Sequence, residues 1–140
     1  MFKYKLSLLL LLIFFVTTNI FAKNMVTPED LAEFGWEYID TKVTTTAELS
    51  SVYACRQPSN KGSVCARLLF QKKMITSIAI FKKGIASRSI KPFINKCAEF
   101  TGFVRERDIQ TEGAQTTAPA LIIEEIVESD KCNWAASFLD

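Results

Sequence analysis

Apolar residues run almost unbroken from Leu6 to Val16, behind Lys3 and Lys5 and ahead of the polar Thr17-Thr18-Asn19 and Ala22. That layout reads as a secretory signal peptide, residues 1–22, cut between Ala22 and Lys23. The run is shorter than the roughly 20 residues a membrane span needs, so cleavage leaves no stable transmembrane span. An uncleaved anchor is the competing reading, because Ile20 is an uncommon choice three residues before the cut. Residues 23–140 then form a single exported domain, periplasmic or extracellular.

Within that domain the first periodic signal is helical. Thr27-Pro28-Glu29-Asp30 offers a cap, a proline suited to the first turn and acids at the positive end of the helix dipole. Val26 and Leu31 stand at hydrophobic-staple positions, and Leu31, Phe34 and Tyr38 mark a buried stripe. Gly35 weakens the pattern, so the helix ends there or runs on to Asp40. Thr45-x-x-Glu48 is a second capping-box pattern, and Leu49, Val52, Tyr53 and Arg56 follow at helical spacing. A helix from Thr46 to Arg56 is the preferred reading. The alternative is a strand over residues 51–57, in a hairpin with residues 63–70 that sets Cys55 opposite Cys65.

From Val64 the pattern changes to alternation. Val64, Ala66, Leu68 and Phe70 share one face, and residues 74–81 (MITSIAIF) are apolar and β-branched. Ser89 reads as a cap, and Ile90, Phe93, Ile94, Cys97, Phe100 and Thr101 follow the spacing of a buried helix face ending near Gly102. Residues 111–118 read as a polar loop, residues 121–127 as helix or strand, and Cys132, Trp134, Ala136 and Phe138 as a closing strand. The fold class expected is α+β: a small single domain, an antiparallel sheet with two or three helices, stabilised by disulfides.

Cysteine usage supports the last point. Cys55, Cys65, Cys97 and Cys132 all follow the leader, and an even count in an oxidising compartment reads as two disulfides. Three connectivities are open. Cys55–Cys65 with Cys97–Cys132 is favoured because it needs no threading. No Cys-x-x-Cys spacing suggests redox or zinc chemistry.

Candidate chemistry is sparse. The sequence contains no histidine, which removes the Ser-His-Asp and Cys-His systems and the usual zinc hydrolase ligands. No Ser-x-x-Lys occurs, and no glycine-rich phosphate cradle exists. No cofactor or metal is expected. Paired carboxylates of the glycosidase kind survive, with Glu124, Glu125 and Glu128 or Glu29, Glu33 and Glu37 as candidates. The second set recurs as the wet face of a helix would.

Charge changes the picture more. The net charge of +2 comes from Lys3 and Lys5, and without them 15 basic residues face 15 acidic ones. Yet no acid lies between Glu48 and Glu99, while Arg56, Lys61, Arg67, Lys72, Lys73, Lys82, Lys83, Arg88, Lys91 and Lys96 all fall there. Lysine pairs around residues 74–81 fit gatekeepers of a sticky strand. They also fit a patch that attracts an anionic partner.

The function expected is a small, non-catalytic exported binding module of the inhibitor or immunity type. Lys72, Lys73, Lys82, Lys83, Arg67 and Arg88 would contact an acidic protein surface. An envelope-surface module binding anionic lipid or polysaccharide is the alternative, and a carboxylate-dependent hydrolase the third reading. Nucleic acid is not expected, since exposed aromatics do not interleave the basic segment.

Overall fold

The structure, a computed structural model, describes residues 24–56, 60–70, 73–74, 78–111 and 113–132. The leader read from residues 1–22 and the strand expected beyond Cys132 lie outside those residues. Among the described residues, no helix is long and apolar enough to cross a membrane.

Helix α1, Pro28–Phe34, starts as its sequence dictates: Thr27 Oγ1 accepts from the Asp30 amide at 3.2 Å, and Val26 and Leu31 are buried. A tighter turn, Gly35–Tyr38, follows. Gly35 is required there, because an added Cβ would come within 2.9 Å of Pro119 Cβ. Phe34, expected on the buried stripe, is instead exposed.

The helix expected from Thr46 to Arg56 does not form. Strand β1 runs Lys42–Ala54, and the alternative hairpin with β2, Val64–Phe70, is what the structure shows. Val43-Thr44-Thr45-Thr46 is a β-branched run whose side chains are stiff in a helix and pack well on a pleated surface. Partners on both sides then override the local capping pattern: β1 pairs β5 over residues 42–48 and β2 over residues 48–54. A register shift between Leu49 and Ser51 bends the strand where it passes from one partner to the other.

The helix expected after Ser89 is also shorter than its spacing implies. Helix α2 spans only Ser87–Ile90, followed by a turn at Lys91–Phe93. Ile90 is buried and Phe93 and Ile94 pack against the core. Asn95 then takes the left-handed conformation, φ 64°, that ends helices. Strand β5, Cys97–Thr111, begins immediately, with Ala98, Phe100 and Val104 inward at period two. The polar loop read over residues 111–118 is mostly the tip of a long hairpin, because β6 runs Ala114–Glu128.

Strand β3, Lys73–Met74, appends to β2, and β4 spans Ile78–Phe81. The sheet is not wholly antiparallel: β4 pairs β6 in parallel and β2 antiparallel. The order β1-β5-β6-β4-β2, with β2 back on β1, closes a five-stranded barrel. Its core takes Leu49, Phe81, Phe100 and Ile123 from the strands and Leu31 and Ile90 from the two short helices. The disulfides are Cys55–Cys65 and Cys97–Cys132, the connectivity favoured from the sequence. Two disulfides point to an oxidising compartment.

One polar atom is stranded inside the barrel. Thr45 is 1% exposed, and its hydroxyl has no hydrogen-bond partner among the described residues. An unmade buried hydrogen bond carries its full desolvation cost. Thr45→Val is therefore expected to stabilise the domain by about 1 kcal/mol, read as a higher urea midpoint at unchanged m-value. A lower midpoint would show that the hydroxyl is satisfied.

Candidate functional site

One rung of the barrel's hydrogen-bonded ladder circles its outer face. Lys42 pairs with Phe103, Phe103 with Ile122, Ile122 with Ile80, Ile80 with Cys65, and Cys65 with Tyr53. The neighbours of these residues, among them Val43, Val104, Leu121, Ala79 and Ala66, belong to the core. Alternation along each strand therefore turns the rung outward. Its middle is apolar: Ile80 and Cys65 are buried with Cys55 and Ala120 in a second cluster, against which Ile78 and Ile122 pack.

Over this floor lies a groove of about 770 Å³. One wall is the β1–β2 loop, through Asn60 and Ser63; the other is the β5–β6 hairpin, through Arg105, Glu106, Arg107 and Asp108. Lys82 and Lys83, where the chain leaves β4, stand between them, with Glu124 and Thr117 from β6. The loop wall is held by the Cys55–Cys65 disulfide and two backbone bonds. The Cys55 amide donates to the Ser63 carbonyl at 3.0 Å, and the Ser63 amide to the Asn60 carbonyl at 2.9 Å.

Charges on the walls are mixed. Lys82 Nζ and Lys42 Nζ lie 3.4 and 3.7 Å from the two oxygens of Glu124. Both lysines are exposed, so these pairs orient side chains more than they stabilise the fold. Arg105 pairs with Asp40, and its guanidinium lies 4.7 Å from the centroid of the Phe103 ring, with Lys42 Nζ at 5.7 Å. Of the two aromatic residues that line the groove, Phe81 is buried in the core and Phe103 is thus already covered by cations. Arg107 donates to the Glu106 carbonyl at 3.1 Å. No group of acids, cysteines or histidines that could hold a metal ion occurs among the described residues.

The structure divides the six basic residues singled out from the sequence. Lys82 and Lys83 line the groove. Arg67 is exposed on β2, 5.7 Å from the Tyr53 ring centroid, and Arg88 is exposed on α2. Lys73 lies on β3, and Lys72 is outside the described residues. Of Glu124, Glu125 and Glu128, only Glu124 lines the groove, and Glu29, Glu33 and Glu37 are exposed around α1. The acid-free interval overlooked Arg105 and Arg107, which alternate with Glu106 and Asp108 and so cancel in any net count. That alternation was their one signal.

No family model matches the sequence, and no curated protein matches it significantly. Among solved structures, a chain described as an aspartyl-tRNA synthetase from Leishmania major Friedlin is similar at a TM-score of 0.50 and 12% identity. The match covers 81% of this chain but spans only 22% of the synthetase. An OBody bound to hen egg-white lysozyme matches at 0.49 and 11% identity, over 78% of this chain and 95% of its own. The small single-stranded DNA-binding protein from Streptomyces coelicolor matches at 0.43 and 12%, over 65% and 95%. The last two scores fall below the level at which a shared fold follows. Strand order and the first likeness together make this a small, mostly-β, OB-fold-like domain, with a closed five-stranded barrel, two short helices and two disulfides.

Proposed function

We propose that this domain is an exported, non-catalytic binding module that holds an acidic polypeptide segment in the groove between the β1–β2 loop and the β5–β6 hairpin. OB-type barrels take ligands on this face, between the loops joining their first two and last two strands. The volume suits a short chain rather than a whole protein face. The carrying observation is the floor: Ile80 and Ile122 are aliphatic, Phe81 is buried in the core, and the Phe103 ring lies beneath Lys42 and Arg105. Single-stranded nucleic acid needs open aromatic platforms on which to stack, and a sugar ring gains most from the same surface. A peptide needs neither. Its apolar side chains meet the floor while its carboxylates meet Lys83 and Arg107.

Mixed walls favour carboxylates at set positions over a uniform polyanion. Glu106, Asp108 and Glu124 sit among Lys82, Lys83, Arg105 and Arg107, so a nucleic-acid backbone would meet repulsion at intervals. Chemistry on the bound segment is not part of this reading, since the chain lacks histidine.

The test is fluorescence anisotropy with a labelled octapeptide alternating Glu and Leu. Lys83→Glu with Arg107→Glu is expected to weaken binding at least about tenfold, with the residual binding less sensitive to salt. Unchanged affinity, or tighter binding of oligo-dT or of an oligogalacturonate by the wild-type protein, would remove the reading.

A further inference from the structure

Two polar side chains on the loop wall are buried yet border the groove. Asn60 is 4% and Ser63 8% exposed, and both line it. Among the described residues, no side-chain hydrogen bond engages the Asn60 carboxamide. Thr45 Oγ1 is the one fully buried side-chain atom without a partner among the described residues, so the unpaired Asn60 carboxamide keeps some contact with solvent, and the groove that Asn60 borders is where a ligand can reach it. The described parts of this loop are held in place. Cys55 and Cys65 are buried in the floor cluster, their disulfide closes the loop, and the Asn60 and Ser63 carbonyls are both engaged by amides within it.

The geometry points to Asn60 as the residue that reads the main chain of the bound peptide, presented by the Cys55–Cys65 loop. A carboxamide carries an acceptor oxygen and a donor nitrogen side by side, the complement of one peptide unit. The charged wall recognises side chains, whereas Asn60 recognises the backbone common to every peptide, with the Ser63 hydroxyl as a second hydrogen-bonding group beside it. Because these backbone bonds hold Asn60 and Ser63 before the ligand arrives, little ordering cost falls on these two residues when it binds. This inference rests on the peptide reading above and adds to it the specificity for polypeptide.

The experiment pairs a change in the protein with a change in the ligand. The labelled Glu-Leu octapeptide is compared with a set of analogues, each replacing one peptide N–H by an ester oxygen. Wild-type protein is expected to bind at least one ester analogue about fivefold more weakly than the parent. Asn60→Ala should bind the parent about fivefold more weakly and no longer distinguish that ester. Retained far-UV circular dichroism and intact disulfides verify the fold, and the wild-type comparison stands even if the variant does not fold. Parent binding with every ester bound equally well overturns the role of Asn60 and leaves the peptide groove standing. No binding of the parent at all overturns both.

Discussion

Gly102→Ala is expected to destabilise the domain by about 3 kcal/mol or more. A Cβ at Gly102 would lie 1.9 Å from the Ile122 carbonyl oxygen, 2.7 Å from its carbon and 3.0 Å from the Ile123 Cα. All three atoms are backbone, so no side chain can swing aside. Nor is β6 free to retreat, because Ile122 and Ile123 are paired to Ile80 and Phe81 of β4 on their other side. The glycine stands at the register shift between Thr101 and Gly102, where β6 carries an extra residue, Glu124. Glycine inside a strand marks such a close approach. Gly62→Ala is the control: nothing lies within 4 Å of its added Cβ, and the strain of φ +85° alone should cost only about 1 kcal/mol. Urea unfolding of both variants decides the matter. A Gly102→Ala midpoint no lower than that of Gly62→Ala would refute the packing argument. The same substitution pushes on Ile122 and Phe103, so peptide binding should fall with stability.

Gly102 also shows why parts of the fold were legible in the sequence and others were not. At sequence level it looked like the end of a helix, because Ile90, Phe93, Ile94, Cys97 and Phe100 keep helical spacing. Two patterns overlap there: a short helix that buries Ile90, and a strand whose period two starts only at Ala98. Asn95 separates them by backbone conformation, which composition does not reveal. Local signals that no distant partner contests were readable, such as the Thr27 cap and the alternation of β2. The cysteine pairing was favoured rather than fixed at that level: it needs no threading and closes a short loop, while two other connectivities stayed open until the structure showed Cys55–Cys65 and Cys97–Cys132. Barrel closure was not readable, since it depends on a parallel pairing of β4 with β6 and on bulges in β1 and β6. In the groove, Lys82 and Lys83 announced themselves as charge without acid. Arg105 and Arg107 were masked by interleaved acids, and Asn60 looked like ordinary loop polarity until its burial was known.

Removing the Cys97–Cys132 bridge, as Cys97→Ser with Cys132→Ser, is expected to cost about 4 kcal/mol, against about 3 kcal/mol for Cys55–Cys65. The difference follows from sequence separations of 35 and 10 residues, since a longer closed loop removes more freedom from the unfolded chain. If the effect lies in the unfolded state, the urea midpoint should fall while the m-value rises, because the uncrosslinked chain exposes more surface. A lower midpoint at constant m would place the cost in the folded barrel instead. Position separates the two bridges as well. Cys97–Cys132 staples the open end of the β5–β6 hairpin, beside the Ala98–Glu128 pair, whereas the groove uses its Arg105–Asp108 stretch nearer the tip. Peptide affinity below the unfolding transition should therefore survive loss of the long bridge. Loss of the short bridge releases the loop that carries Asn60 and Ser63, so it should weaken binding even where the barrel stays folded. The bridge worth more to stability is thus the one worth less to binding, and reversed outcomes for the two pairs would mean that the loop wall is not part of the site.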